Sequence, residues 1–315
     1  MKPLVIYHAN CTDGFGAAFA AWLKLGDEAE YRACHYNQEC FQDGETVHNR
    51  EVYILDFSFP KPVMDAIFQH AKRVVWLDHH KTAFEMWCKG VPEKGWICQR
   101  LNCTEDNPSG NVHIELNNNK SGALIAWEYF HPITKVPKLI QHIDDRDRWQ
   151  FKLEGSKELH AALASYKPWT FEMWEAHFLV GDIRFGALKD EGAAILRAHN
   201  QHVQSALKQA KTCWLLKSIP KPGGEHWEAL FSVNASGLAA NAPSFLASDL
   251  GHELANKSGT FGLVWSMAGD MQVHCSLRSN GEYDVSAIAK AFGGGGHRNA
   301  AGFSTNINTL SEWLK

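Results

Sequence analysis

No run of eighteen or more apolar residues occurs in the chain, so no transmembrane helix is expected. The opening MKPLVIYHAN meets polar groups too soon for a secretory signal, and a cytoplasmic location is the expectation. None of the eight cysteines forms a C-x-x-C pair. Cys98 and Cys103 are spaced for metal but have no second pair, so most cysteines are expected to be reduced and buried or incidental. An excess of basic charge is also missing: 31 Lys and Arg face 35 Asp and Glu, a net charge of −4. That balance argues against a partner as large as long duplex nucleic acid, which demands a basic footprint. Internal repeats and long low-complexity tracts are absent.

What is present is an ordinary globular interior. The chain has 315 residues, 45% of them hydrophobic, enough for two domains. Its first half alternates strand-like and helix-like stretches: PLVIYH, DGFGAAFAAWLKLG, VYILDFSF, PKPVMDAIFQHAKR and RVVWLDHH. Near-continuous apolar strands alternating with helices predict an α/β fold with a parallel sheet covered on both faces. Residues 84–119 lack periodicity and read as an irregular insertion. SGALIAWEYF resumes a helix with Ser121 as its cap. A long helix over residues 186–214 reads as the bridge to a smaller α/β domain, with the turn-rich SIPKPGGEHW as boundary. The expected division is 1–185, a linker helix and boundary over 186–220, and 221–315.

Three successive strands end in groups suited to metal binding: His8, Cys11 and Asp13 in HANCTDG, Asp56 in ILDF, and Asp78, His79 and His80 in LDHHK. Parallel strands bring such ends to one crevice. Asp144, Asp145 and Asp147 in IDDRDRW could close it. Like charges packed together repel unless neutralised, and carboxylates mixed with imidazoles suit two divalent cations of the Mn²⁺, Mg²⁺ or Co²⁺ kind. Near the C-terminus, GGGGHRNAAGF lacks the G-K-[ST] ending of a Walker loop. Its backbone N–H groups suit an anion nest, and Arg278 in SLRS can offer a planar fork to phosphate.

Together HxxCxDG, ILDF, LDHHK, SLRS and FGGGGHRNAAGF resemble the DHH phosphoesterases followed by their DHH-associated substrate-binding domain, in the family's order and over nearly the whole chain. The resemblance implies a two-domain, metal-dependent hydrolase with a dinuclear centre, manganese by preference. His8 and Asp56 would hold one ion. Asp13, Asp56 and His79 would hold the other, with Asp56 bridging, and Asp147 or, failing that, Asp145 would complete it. Asp78 would orient His79, and His80 would face the scissile phosphate. Arg278, Gly293, Gly294, Gly295, Gly296, His297 and Arg298 would hold the nucleotide or phosphate end of the substrate. Cys11 stands where the family has an aspartate. A thiolate there is softer and would favour zinc, iron or cobalt.

The expected substrate is a nucleotide, cyclic dinucleotide or short oligonucleotide. The alternatives are a non-catalytic nucleotide- or RNA-binding protein on the same fold and a pyrophosphatase, which the C-terminal glycine tract argues against. Among twelve tryptophans, Trp149, just past the acidic cluster, is the best placed to stack on a base.

Overall fold

Apolar runs that do not alternate become the buried strands of the N-terminal half. The computed structural model describes residues 1–36, 40–41, 47–88, 97–101, 110–178, 182–219, 230–268, 272–281 and 283–314, without the side chains of residues 97, 99–101, 177–178, 182–184, 216–219 and 230–234. The chain divides into two units, Met1–Leu196 and Arg197–Lys315.

The first unit holds β1 (Leu4–His8), α1 (Thr12–Leu25), β2 (Glu30–Cys34), β3 (Glu51–Leu55), α2 (Lys61–His70), β4 (Arg73–Asp78), α3 (Lys81–Trp87), β5 (Ile97–Leu101) and β6 (Val112–Asn117). Helices α4 (Gly122–Phe130), α5 (Lys138–Asp147), α6 (Ser156–Ser165) and α7 (Phe171–Phe178) follow. The strand order is β2-β1-β3-β4-β6-β5, with five strands parallel and β5 antiparallel to β6. Side-chain alternation along the strands sorts two cores. Val5, Tyr53, Leu55, Val75 and Leu77 pack on one face with α1 and α4, while Ile6, Ile54, Val74 and Trp76 pack on the other with α2 and α3. Helix α1 runs along α4 through small residues: a Cβ on Gly16 would lie 2.9 Å from that of Ala123.

One expectation changes here, and one cysteine pair departs from the reduced majority. Residues 84–119 contain the end of α3, the edge strand β5 and the interior strand β6. The alternating VHIELN pairs with β4; its composition-poor surroundings hid it. Cys34 and Cys40 are joined as a disulfide, while Cys11, Cys98, Cys213 and Cys275 are free thiols. Six residues of separation fall outside the C-x-x-C pattern sought.

Helix α8 (Asp182–Leu207) begins in the first unit and ends in the second. It stops short of the expected residue 214, because residues 211–219 form a strand, β7 (Lys211–Ile219), with Cys213 and Leu215 buried in the second unit's core. That unit continues with β8 (Leu230–Asn241), α9 (Ala247–Ser258), β9 (Phe261–Met267), β10 (Gln272–Ser279), α10 (Val285–Ala291), β11 (Gly295–His297), β12 (Ala300–Asn306) and α11 (Ile307–Trp313). Its sheet runs β11-β12-β10-β9-β8-β7. No described helix is long and apolar enough to cross a membrane.

Candidate metal centre

The register of three neighbouring strands assembles the site. Tyr7 lies opposite Leu55, and Leu55 opposite Leu77, so the next residues along, His8, Asp56 and Asp78, arrive level at the carboxyl ends. Asp56 leaves β3 with φ of 52°, a left-handed conformation that a short polar side chain tolerates better than most. Its carboxylate is buried, and Gly122 makes the room: a Cβ there would sit 2.4 Å from the Asp56 Cβ. Gly14 is needed for the same kind of reason, since a Cβ would lie 2.2 Å from the His8 carbonyl oxygen.

Around Asp56 the predicted groups converge. His79 Nε2 stands 3.1 Å from Asp56 Oδ1, 3.4 Å from Asp13 Oδ2 and 3.6 Å from Asp147 Oδ2. His8 Nδ1 is 3.6 Å from Asp56 Oδ2. Three sets of possible ligand atoms each fit within 4.8 Å: His8, Cys11 and Asp56; Asp56, His79 and His80; Asp13, His79 and Asp147. Asp56 and His79 each belong to two of them. The structure gives Asp145 a different place. Its oxygens accept from the Lys152 and Leu153 amides and from the Ser156 hydroxyl, which turns them away from this cluster. Asp144 accepts from the Ser121 amide and so ties α5 to the start of α4.

Asp78 differs from expectation in what it holds. Its Oδ1 accepts from the backbone amides of both His79 and His80 and lies 2.7 Å from His80 Nδ1. The side chain it orients is therefore that of His80, two residues on; His79 is fixed only through its backbone. Asp13 also has a structural task. Its two oxygens accept from the Gly122 and Ala123 amides at the N-terminus of α4, where the helix dipole favours a negative charge.

The charge balance fits divalent ions. Both Asp56 oxygens and His8 Nδ1 are buried without a hydrogen bond; His79 is close to Asp56 but not aligned for one. Leaving such atoms unsatisfied is costly. Burial and the neighbouring Asp56 and Asp147 push the Asp13 carboxyl well up. Asp147 is raised too, by burial first, and burial with three nearby carboxylates pushes the Cys11 thiol well up. Burial works against the Asp56 charge, but the three histidines hold its carboxyl far below the usual range. For His79 and His80, carboxylates outweigh burial and raise both imidazoles. A pocket where acids are driven to hold protons beside partnerless carboxylate oxygens is one that cations would complete.

Two further site residues carried no sequence signal that singled them out. Tyr36 stacks on Phe57 at 4.7 Å and meets His8 and His80 edge-on at 5.2 and 5.9 Å, walling the cluster. Gly122 could have been found only by asking why a glycine follows the Ser121 cap.

In the second unit, Arg278 lies on β10, with its stem across α9 where a Cβ on Gly251 would come within 2.7 Å, and it donates to Ser248 Oγ. The glycine tract is ordered. The Gly293 and Gly294 amides donate to the Lys290 and Ala289 carbonyls at the end of α10, so those two do not form the expected anion nest. Gly295, Gly296 and His297 pair with β12. His297 and Arg298 are exposed.

The family model of the DHHA1 domain matches residues 233–315, within the second unit. A protein of Acanthamoeba polyphaga mimivirus, uncharacterized protein R106, is 31% identical over 318 residues, covering 96% of this chain and 67% of that protein. Among solved structures, the pGpG-specific phosphodiesterase PggH from Vibrio cholerae aligns over 99% of this chain and 96% of its own, at 13% identity and a TM-score of 0.50. The chain belongs to the DHH family. The two-unit α/β architecture of this DHH protein is that of the family's fold. RecJ from Thermus thermophilus, solved with Mn²⁺, is a weaker likeness: 13% identity, a TM-score of 0.45, and coverage of 99% of this chain but 50% of RecJ.

Proposed function

We propose that this DHH protein is a metal-dependent phosphoesterase acting on nucleotides or short oligonucleotides. The observation that carries the reading is the buried, doubly shared Asp56, both of whose carboxylate oxygens lack a hydrogen bond. His8, Cys11 and Asp56 would hold one divalent ion, and Asp13, His79 and Asp147, with Asp56 between, the other. Bound there, such ions would supply Lewis acidity and a water acidic enough to react near neutral pH. Manganese or cobalt suits the carboxylates and imidazoles, and Cys11 adds zinc as a contender.

The protein's own groups do the rest. Asp78 holds the His80 ring at 2.7 Å and favours its protonated form, so His80 can donate a hydrogen bond where charge builds on the phosphoryl oxygens. Arg278, His297, Arg298 and the later glycines of the tract are the proposed holders of the nucleotide end. The net charge of −4 disfavours long duplexes. Short linear dinucleotides lead the substrate list, since the neighbour PggH is named for pGpG.

The test is turnover and metal content of Asp56→Ala beside the natural protein, measured on dinucleotides under Mn²⁺, Co²⁺ and Zn²⁺. Loss of turnover by about 10³-fold, the scale on which electrostatic machinery is felt, together with lost metal, is expected. Metal retained at full stoichiometry with full activity rejects the bridging role. Metal bound without hydrolysis of any ester favours a nucleotide-binding protein instead.

A further inference from the structure

The acidic stretch at the end of α5 hides its carboxylates and shows something else. Asp144 is engaged with Ser121 and Arg148, Asp145 with Ser156, and Asp147 faces His79. Beyond them stand aromatic rings dressed with cations. The Arg146 guanidinium lies 4.5 Å from the centre of the Trp149 ring and 5.8 Å from that of Phe151. Lys157 Nζ lies 4.6 Å from the Phe151 ring. Trp149 and Phe151 meet edge to face at 4.9 Å. Trp149 is 39% exposed, well above most of the protein's aromatic residues.

The backbone bears a cost to present these rings. Trp149 and Phe151 have φ of 56° and 50°, a region that bulky residues rarely enter. Such conformations persist where the surroundings impose them and cluster at binding sites. Here the Gln150 amide is pinned to the Asp145 carbonyl at 2.9 Å and the Trp149 amide to the Arg146 carbonyl at 3.0 Å. Strain, exposure and cations coincide within a few residues of the candidate metal centre. Trp149 follows Asp147 by two residues, so their Cα atoms are at most about 7.6 Å apart. Arg146 is also near enough to Asp147 to act on its carboxyl.

We propose that Arg146, Trp149, Phe151 and Lys157 form a stacking platform that seats one base of a single-stranded nucleotide beside Asp147. Aromatic faces take any base, and a cation on the ring system strengthens the contact while meeting the neighbouring phosphate charge. The inference rests on the phosphoesterase reading for its substrate class and narrows that class to esters carrying a base.

The experiment compares 5′-phosphorylated diadenylate, pApA, with the same sugar–phosphate lacking its bases. Binding to the full-length protein is measured by calorimetry with chelator present, and KM and kcat are measured with Mn²⁺. The natural protein should favour pApA, and Trp149→Ala should reduce that preference about 5- to 100-fold, the scale of one stacked base. The loss should fall on KM rather than kcat, with Trp149→Phe recovering most of it. If Trp149→Ala does not fold, Trp149→Leu keeps apolar bulk without the π face and reads the same ratio. No preference in the natural protein, an unchanged ratio in the variants, or equal weakening toward both ligands overturns the platform. If no ester is turned over, the phosphoesterase reading fails, while the binding ratio under chelator still decides this one.

Discussion

At the scale of single residues, the candidate centre depends on atoms that are missing as much as on those present. Gly122 leaves the space into which the Asp56 carboxylate folds. Gly122→Ala would bring a methyl to 2.4 Å from the Asp56 Cβ, and one of the two must move. Overpacking of this kind costs on the order of 1–3 kcal/mol, and displacement of the proposed bridging ligand would cost more in activity than in stability. Gly122→Ala is expected to remain folded with metal content and turnover both reduced at least tenfold, read by circular dichroism, metal analysis and ester hydrolysis. Wild-type values for both would contradict the packing argument. His8, Cys11, Asp13, Asp56, His79 and His80 were legible in the sequence because each stands at the end of a strand pattern or in the turn just after it. Gly122 and Tyr36 were not, because a contact between distant segments leaves no local trace. Asp147 could not be separated from Asp145 by sequence: both lie on one helix, two residues apart, and only the packing of α6 decides which carboxylate turns inward.

At the scale of elements, the join between α5 and α6 contains a histidine, a serine and an aspartate that do not make a nucleophilic triad. The Ser156 hydroxyl donates to Asp145 at 2.6 Å and lies 2.9 Å from His142 Nδ1. The serine thus sits between the other two, and both it and His142 are buried; a triad places the histidine in the middle. The cluster is a clasp, and its protonation has a definite sign. Burial pushes the His142 imidazole down. Burial opposes the Asp145 charge, yet Ser156 and two backbone amides hold its carboxyl below the usual value. Both groups therefore bind protons more readily in the unfolded chain. Their contribution to stability is complete above about pH 6.5, erodes first as His142 is forced to charge, and erodes again below about pH 3.9 as Asp145 protonates. Ser156→Ala should cost roughly 1–3 kcal/mol at neutral pH, with the difference from the natural protein shrinking as acid protonates Asp145. Denaturant titrations at several pH values would show this; a gap that is constant or widens toward acid would refute it. The elements themselves were mostly legible, since periodicity marks helices and apolar runs mark inner strands. Among the exceptions, β2, β5 and β6 are five or six residues long and lie among residues whose composition reads as loop; β7 continues the pattern of the long helix and reads as its end; and the helices α3, α6, α7, α9 and α11 are not singled out.

At the scale of the whole molecule, each unit has its own hydrophobic interior. The second unit gathers Leu215, Phe261, Leu263, Val273, Leu277 and Trp313 in one cluster, and Val203, Leu207, Leu250 and Leu254 in another. An independent core is what a domain needs in order to fold by itself. Residues 197–315 expressed alone should accordingly unfold in one cooperative transition by calorimetry; a non-cooperative melt would mean that this unit depends on the first.

The level arrangement of His8, Asp56 and Asp78 across β1, β3 and β4 has an evolutionary corollary. Sliding any one of these strands by a single position would both swap its faces and carry its terminal group about 3.3 Å along the sheet, beyond the tolerance of a coordination sphere. Helices around the sheet can be redecorated, and connecting segments lengthened or shortened, without disturbing the chemistry. Insertions and deletions inside those three strands cannot be absorbed, so descendants that keep the proposed centre must inherit their spacing unaltered.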